Sequence, residues 1–219
     1  MPSLLASIGS GRDSDVLVTA EGFVLAGGES RRFGQDKALY SFDGSTLVER
    51  AVETLRRAGC DRVVVLHRRP TDLEFLDCEV TCDVGGGQGP LDGLHTALLL
   101  ARTDYIVTLP VDQILVTSEV FRQLLDIVRR SEETDVVPIV DERGSSHHLT
   151  AAWRVKTCLP IVDQHIGRGI SSPRQVLEFL ACRWQTCSAD LMINANRIED
   201  LPRGRPTLRS ISHPVDGKS

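Results

Sequence analysis

Residues 22–38 read GFVLAGGESRRFGQDKA, and this segment carries most of the information about the architecture. Its apolar start leads directly into the paired glycines Gly27 and Gly28. A continuous apolar run is typical of a strand buried on both faces of a parallel sheet. Because glycines carry no Cβ, their backbone N–H groups can approach an anion closely. Arg32 and Lys37 follow and can neutralise phosphate charge, so the segment predicts a strand followed by an anion-binding loop.

This loop differs from two familiar phosphate-binding motifs. No G-K-[ST] follows the glycines, which excludes the P-loop, and the spacing is not the G-x-G-x-x-G of dinucleotide-binding folds. A Gly-Gly pair by itself is more often a loop with solvated charges. Here the glycines, two arginines and a lysine stand together at the predicted carboxyl end of a strand, where ligands bind in α/β sheets. That context favours the anion site.

Short apolar runs alternate with amphipathic helical segments along the rest of the chain. The predicted strands are residues 22–26, 62–66, 79–82, 105–109, 136–140 and 149–153. The predicted helices are residues 46–58, residues 91–102, one beginning near Ser118, one after Pro173 and a last one capped by Asn196. This alternation predicts an α/β fold, a three-layer α/β/α sandwich around a doubly wound, mostly parallel sheet.

The chain has 219 residues, which suits one α/β domain. Residues 1–20 are predicted to be a loose leader, residues 21–201 a single domain, and residues 202–219 a flexible tail rich in Pro, Gly and Arg. The first residues lack a basic segment followed by a long apolar core, so no secretory signal is expected.

The charge composition limits which classes of binding partner the protein can have. Lys and Arg number 25 against 30 Asp and Glu, a formal net charge of −5. Such a chain does not bind nucleic acid or acidic membranes through bulk charge. No apolar stretch approaches the roughly 20 residues that cross a bilayer. We therefore expect a cytoplasmic protein without a nucleic-acid or membrane partner.

The six cysteines do not form a recognisable metal site. None belongs to a C-x-x-C pair, and the four-ligand spacing of zinc sites is missing even when His147 and His148 are included. Reduced, mostly buried thiols are favoured over a metal site or a disulfide.

The segment from Leu25 to Ala38 resembles the signature of the molybdenum cofactor guanylyltransferases, which is L-A-G-G-x-S-x-R-[MF]-G-x-D-K-A. This family belongs to the nucleotidyltransferase superfamily, so the resemblance implies a Rossmann-like fold. Other segments resemble the same family in the same order along residues 20–202. They are Asp83 with residues 89–94 (GPLDGL), Asp112, residues 148–152 (HLTAA), and residues 193–196 (INAN) leading into residues 199–201 (EDL).

The resemblance implies roles for these residues. Nucleotide binding is implied for Leu25, Ala26, Gly27, Gly28, Lys37, Asp83 and Asp112. Asp112 is implied as the Mg²⁺ ligand and Asp83 as the group that binds guanine. Arg32 and Lys37 are implied as cations that stabilise negative charge on the α-phosphoryl group and on the leaving pyrophosphate. The acceptor-side candidates are His148, Asn194 and Asn196, to which we add Arg168 and Arg174 as cations that suit an acceptor phosphate.

The residues alone leave simpler interpretations open. Asp112 suits a helix cap or a surface turn as well as a cation site, and Asp83 beside three glycines suits a turn. Asn196 is a good helix cap whatever else it does. His147 and His148 follow a Gly-Ser-Ser sequence and are more typical of a solvated loop than of acid–base groups. Arg168 and Arg174 are equally compatible with an exposed surface.

The chain departs from the family pattern at three places. Val111 precedes Asp112 and residues 113–114 (QI) follow it, where the family usually has a cysteine before and a proline after. Residues 66–68 read LHR where guanylyl enzymes often carry an asparagine. Asp92 replaces a small residue in the G-P-L-x-G turn.

The sequence thus predicts a nucleotidyltransferase with Mg²⁺ as cofactor. The resemblance implies that it transfers GMP from GTP to molybdopterin and releases pyrophosphate, and that its partners are other molybdenum cofactor biosynthesis proteins or molybdoenzymes. Two alternatives are a cytidylyl- or sugar-phosphate nucleotidyltransferase on the same fold and a nucleotide-binding homologue without turnover.

Overall fold

The computed structural model describes residues 19–28, 36–82, 89–195 and 200. The predicted leader and tail fall almost entirely outside these residues. The described strands are β1 Ala20–Leu25, β2 Ser41–Phe42, β3 Ser45–Thr46, β4 Arg62–Leu66, β5 Glu79–Thr81, β6 Tyr105–Pro110, β7 Val136–Asp141, β8 Ser146–Arg154 and β9 Gln185–Cys187. The described α-helices are α1 Leu47–Arg57, α2 Pro90–Leu100, α3 Ser118–Arg130, α4 Val155–Gly167 and α5 Pro173–Leu177.

Seven of these strands form one sheet in the order β5-β4-β1-β6-β8-β7-β9. The strands β5, β4, β1 and β6 run parallel, β8 runs antiparallel to both of its neighbours, and β9 is parallel to β7. The predicted mostly parallel sheet is confirmed. β8 reverses direction because only a tight turn separates it from β7, whereas a parallel connection needs a crossover of a dozen residues or more.

The chain leaves the centre of the sheet at β1, builds β4 and β5 on one side, and returns to place β6 on the other side of β1. Leu25 at the end of β1 is in register with both Leu66 and Pro110. The backbone continues this pairing for one residue, since Ala26 N–H donates to the Leu66 carbonyl at 2.9 Å and Val111 N–H to the Leu25 carbonyl at 3.1 Å. The segments that follow β1 and β6 therefore emerge side by side, at a switch point where α/β folds bind ligands.

Helices cover both faces of the sheet and create two hydrophobic cores. One core takes in the buried sides of α1 and α3, and the other those of α2, α4 and α5. The predicted three-layer arrangement is confirmed. None of the helices within the described ranges is long and apolar enough to cross a membrane.

Helix α1 illustrates how the sequence specifies an element. The Thr46 hydroxyl accepts a hydrogen bond from Glu49 N–H, and the Glu49 carboxylate accepts one from Thr46 N–H, which is a capping box. Gly59 ends the helix at φ 91°. In β1, a Cβ on Gly22 would lie 2.9 Å from Leu55 Cδ1, so glycine there lets α1 pack closely on the sheet.

Several local expectations were wrong. His147 and His148 lie in β8 rather than in a loop, because the turn ends at Gly144 (φ 84°) and the strand begins at Ser146. No helix was predicted between β8 and Pro173, yet α4 occupies this stretch with Pro160 inside it. The short strand β9 and the hairpin β2–β3 were also missed. The predicted helix after Asn196 falls on residues that the structure does not describe.

Candidate active site

A cavity of about 820 Å³ opens at the carboxyl edge of β1 and β6. Its walls are formed by residues from the end of β1, the turn at Lys37, the end of β6, the start of α2 and the start of β8. The lining includes Leu25, Ala26, Gly27, Gly28, Lys37, Arg68, Gly89, Pro90, Asp112, Gln113, His147, His148 and Asn194. A volume of this order suits a nucleotide or a similar small ligand.

The structure brings most of the predicted site residues together in this cavity. Those that line it are Leu25, Ala26, Gly27, Gly28, Lys37, Asp112, His148 and Asn194. Arg174 lies in an adjoining compartment. Arg168 is the exposed C-cap of α4 and lines neither space. Arg32, Asp83 and Asn196 lie outside the described residues.

Packing among the described residues does not explain the glycine at position 28. A Cβ built on Gly28 would meet no atom of the described structure within 4 Å, and its φ is not in the left-handed region. Neither steric crowding nor backbone strain therefore requires glycine there. Because Gly28 lines the cavity, its missing side chain instead leaves room for a ligand to reach the backbone.

Lys37 is held at the cavity by the residue before it. The Asp36 carboxylate accepts a hydrogen bond from Ala38 N–H at 3.0 Å and caps the short 3₁₀ turn Lys37–Leu39. Its other oxygen lies 2.9 Å from Nε2 of His67, whose side chain is 2% exposed. Since a carboxylate only accepts hydrogen bonds, the imidazole donates from Nε2. The LHR departure at residues 66–68 thus supplies a buried anchor for the turn that carries Lys37.

Lys37 and Asp112 face each other across the floor of the cavity. The Lys37 ammonium lies 3.4 Å from Asp112 Oδ2, and the two side chains are 13% and 28% exposed. Asp112 is the second residue after β6, while Lys37 follows the glycine loop after β1. One cation and one carboxylate therefore meet where the two central strands end, and both are accessible from the cavity.

Gln113 joins the segment after β6 to two other elements. Its Nε2 lies 2.6 Å from Asn194 Oδ1 and 2.9 Å from His147 Nδ1. The Asp112 carbonyl also accepts a hydrogen bond from Ala195 N–H at 2.9 Å. The Gln113 side chain is buried, and its Oε1 has no hydrogen-bond partner among the described residues. Asn194 is consequently fixed beside Asp112 through two independent contacts.

The same network determines which tautomer a neutral His147 adopts. Gln113 donates to Nδ1, so the hydrogen of a neutral His147 resides on Nε2, which lies 3.4 Å from Asp141 Oδ2. Burial raises the pKa of Asp141, but hydrogen bonds from Ser145 N–H, His147 and Arg143 N–H outweigh it and hold the pKa below its usual range. His147 is thus an oriented imidazole with both nitrogens engaged.

His148 points to a second space beside the cavity. Its ring makes an edge contact with Trp184, with centroids 5.9 Å apart and planes at 76°. Burial lowers the pKa of His148, and electrostatic interactions with Arg174 and with His147 lower it further. The imidazole is therefore neutral near pH 7 and presents an uncharged surface to a ligand.

The buried cysteines do not take part in this site. Burial raises the pKa of Cys60 and of Cys158 to about 12 and that of Cys187 to about 11. Thiols with such pKa values are protonated at neutral pH and are poor nucleophiles or metal ligands.

The residues that sequence reasoning missed are Gln113, His147 and Trp184. Gln113 was noticed only as a departure from the family pattern, and the partners of its amide are 34 and 81 positions away. The one available signal was its position directly after the candidate metal aspartate at a strand end. Nothing in the local sequence marks Trp184, which reaches His148 only through the packing around β8.

Comparisons with known proteins agree with this geometry. The family model described as a MobA-like NTP transferase domain matches residues 22–189. A probable molybdenum cofactor guanylyltransferase from Opitutus terrae is 39% identical over 194 residues, which cover 84% of this chain and 94% of that protein.

Solved structures show the same fold. The molybdopterin-guanine dinucleotide biosynthesis protein A from Archaeoglobus fulgidus has a TM-score of 0.68 at 21% identity, over 82% of this chain and 94% of the other. A manganese complex of Rv0371c from Mycobacterium tuberculosis H37Rv has a TM-score of 0.61 at 19% identity, over 83% and 95% of the two chains.

Proposed function

Because the chain belongs to the family of MobA-like NTP transferases, and is thus a nucleotidyltransferase, we propose that it transfers GMP from GTP to the terminal phosphate of molybdopterin. The products would be molybdopterin guanine dinucleotide and pyrophosphate. The observation that carries the proposal is the Lys37–Asp112 pair, at 3.4 Å, on the floor of the cavity beside Gly28. The name of the Opitutus relative supports the choice of guanylyl transfer.

The reaction joins an oxygen of the acceptor phosphate to the α-phosphorus of GTP. The bond from the α-phosphorus to the oxygen that bridges to the β-phosphate breaks, and pyrophosphate leaves. A phosphate monoester has its second pKa near 6, so the attacking oxygen is already ionised at neutral pH. No general base is needed, which agrees with His147 having both ring nitrogens engaged. Catalysis then consists of positioning and charge neutralisation.

The nucleotide would lie between the end of β1 and the start of α2. The backbone at Gly28 would donate to the triphosphate, and the positive end of α2 at Pro90 faces the same space. Lys37 would move from Asp112 to the phosphate oxygens. From the sequence we add Arg32 as a second cation on the phosphates and Asp83 as the acceptor of hydrogen bonds from guanine.

The site suits a divalent cation, and we propose Mg²⁺ on Asp112. Among the described residues no group of three His, Cys, Asp or Glu side chains converges. Mg²⁺ usually keeps several waters and binds through one or two carboxylates together with substrate phosphates, so a single accessible carboxylate fits it. When bound, the ion would neutralise charge on the phosphates and orient them. The manganese complex of the Mycobacterium protein supports a divalent cation in this fold.

The acceptor would enter along the wall formed by β8 and Asn194. Since Asn194 Oδ1 already accepts from Gln113, the Asn194 amide N–H groups remain available to donate to the acceptor phosphate. We propose His148 and Arg174 for the same side of the site, together with Asn196 on the sequence resemblance. Arg168 lies away from both spaces and takes no part in the proposal.

The direct test is pyrophosphate release by the purified protein with GTP, molybdopterin and Mg²⁺. We expect release that requires all three components, with molybdopterin guanine dinucleotide as product. Tight GTP binding without release in the complete mixture would contradict the proposal and indicate a nucleotide-binding homologue without turnover.

Base selection is tested by competition at saturating Mg²⁺. We expect an equimolar mixture of GTP, CTP and UTP to yield mainly the guanylyl product, by at least about tenfold, because guanine offers paired N–H donors to a carboxylate. A cytidylyl or uridylyl product in excess would reverse the assignment and indicate a cytidylyl- or sugar-phosphate nucleotidyltransferase.

A further inference from the structure

A second space of about 610 Å³ adjoins the cavity of the active site. We call it the side compartment. Ser146 and His148 line both spaces, so the two are continuous along the start of β8. The other residues that matter here are Arg174, Glu178 and Trp184. The sequence resemblance and the family match assign no role to Trp184.

The side compartment lies where the part of the acceptor remote from its phosphate is expected to extend. If GTP occupies the space between Gly28 and the start of α2, the acceptor phosphate must approach Asp112 from the opposite wall. The rest of the acceptor then extends away from the nucleotide, past His148. This step rests on the proposed function, because it takes the nucleotide position from there.

The lining has the chemistry of a site for a flat polar ring. Trp184 is 36% exposed, although indole rings are usually buried, as Trp153 is in this protein. Its contact with His148 is edge-on, which leaves a face of the indole uncovered by that imidazole. His148 is neutral near pH 7, since burial first and then electrostatic interactions with Arg174 and His147 lower its pKa. An aromatic face next to a neutral imidazole favours stacking of a heterocycle.

Arg174 and Glu178 complete the recognition pattern. Glu178 follows α5 and remains in a helical conformation, about one turn beyond Arg174. Within the described ranges neither side chain has an ion-pair partner, so both can serve a ligand. A carboxylate accepts hydrogen bonds from the amino and ring N–H groups of an aminopyrimidinone, and a guanidinium donates to its carbonyl oxygen.

We propose that the side compartment binds the aminopyrimidinone ring of the acceptor's pterin, with Trp184 as its stacking surface. Arg174 and Glu178 form hydrogen bonds with the polar edge of that ring, and His148 lines the passage to the reaction centre. The phosphate end of the acceptor reaches Asp112 while the pterin end stays in the compartment. The site therefore selects an acceptor that carries both groups.

Intrinsic fluorescence tests this proposal without turnover. The chain has two tryptophans. Trp153 is fully buried and donates its N–H to Thr108 Oγ1 at 2.8 Å, so a ligand can reach only Trp184. We expect pterin-6-carboxylate and molybdopterin to quench the fluorescence saturably in the wild type and much less in Trp184→Phe, where only energy transfer from the buried Trp153 remains. Saturable quenching by GTP instead, or quenching unchanged in Trp184→Phe, would overturn the proposal.

Kinetics give a second, independent readout. Stacking of a ring on an aromatic side chain contributes binding free energy that Trp184→Ala would remove. This variant should therefore raise KM for molybdopterin about tenfold. Trp184→Phe keeps a stacking surface and should stay within about threefold. The matched control is Phe179→Ala, since Phe179 is 61% exposed, packs on His165 and does not line the compartment. The KM for GTP should not change in any of these variants.

The two proposals fail in distinguishable ways. Pterin-specific quenching without pyrophosphate release would retain the pterin site and reject the transfer reaction. Turnover of molybdopterin with an unchanged KM in Trp184→Ala and no quenching in the wild type would retain the reaction and reject the pterin site. If Trp184→Ala does not fold, the wild-type and Trp184→Phe titrations still decide the question.

Discussion

The two ends of the parallel sheet are built on opposite principles. At the amino end, Arg62 lies 2.8 Å from Glu21 and 2.7 Å from Glu79, and the second oxygen of Glu21 accepts a hydrogen bond from Arg102 N–H at 2.6 Å. At the carboxyl end, Lys37 and Asp112 are 3.4 Å apart and reachable from a cavity. The buried carboxylate at the amino end is paired and hydrogen-bonded within the protein, whereas the ion pair at the carboxyl end borders a cavity.

This difference separates stability from function. Burying charge is costly unless each group is paired and hydrogen-bonded, and the Glu21 network meets that condition. The Lys37–Asp112 contact is longer, and Asp112 is more exposed than Glu21, so we expect this pair to contribute less to folding. Substitutions at the two ends should therefore affect different measurements.

The largest expected effect is on turnover at the carboxyl end. Lys37→Ala or Asp112→Ala should reduce kcat at least about a hundredfold, because each removes a charge that the proposed mechanism uses to neutralise or hold the triphosphate. Unfolding by urea should change by no more than about 1 kcal/mol, since the pair is partly exposed. Lys156→Ala, an exposed lysine on α4, is the matched control and should leave both measurements unchanged. Near wild-type kcat in both site variants would remove the basis of the mechanism.

The next effect is on stability at the amino end. Glu21→Gln leaves Arg62 without its most buried partner and should lower the free energy of unfolding by about 3 kcal/mol. Turnover, measured under conditions well below the midpoint of unfolding, should stay within about twofold of the wild-type value, since the candidate active site is at the other end of the sheet. Glu53→Gln breaks an exposed pair with Arg57 and should cost less than about 0.5 kcal/mol. A loss of turnover in folded Glu21→Gln would contradict the separation of the two ends.

Gln113 lies at the carboxyl end but should act through another residue. Gln113→Leu removes the hydrogen bond to Asn194 and should raise KM for molybdopterin about tenfold while KM for GTP stays within about twofold. If Gln113 only positions Asn194, the double variant Gln113→Leu/Asn194→Leu should be no worse than Asn194→Leu alone. Additive losses would show that Gln113 contacts the substrate itself. The exposed Gln164→Leu on α4 serves as the control.

The smallest effect concerns acid stability at Asp141. The pKa of this carboxyl is lowered in the folded protein, so its contribution to stability is present above the unfolded pKa and is lost as pH falls through the folded pKa. The wild type should therefore exceed Asp141→Asn in stability above about pH 4, and the two should converge below it. Urea unfolding across pH 3–7 measures this, and a gap that widens on acidification would have the wrong sign.

Much of the fold could be predicted because its signals are local. The apolar runs of β1, β4 and β6 and the apolar stripe of α1 are periodic patterns, and Gly59 stops α1 as expected. Helix α4 was not predicted because a proline such as Pro160 destabilises the interior of a helix. Burial of Cys158, Val162 and His165 outweighs that destabilisation here.

The site was predictable only where it follows from strand ends. Asp112 comes two residues after β6, and Lys37 follows the glycine loop after β1, so both could be expected near the same edge of the sheet. Gln113 and His147 meet because β8 runs antiparallel beside β6, and Asn194 reaches Gln113 from the segment after β9. No pattern within any one of these segments indicates the contacts.

The most direct test of the account is a crystal structure with a non-hydrolysable GTP analogue and Mg²⁺. We expect the triphosphate between Gly28 and Lys37, the cation on Asp112, and Lys37 displaced from its position 3.4 Å from Asp112. A nucleotide bound away from the carboxyl edge of β1 and β6, with the Lys37–Asp112 pair intact, would contradict the proposal that nucleotidyl transfer takes place at this end of the sheet.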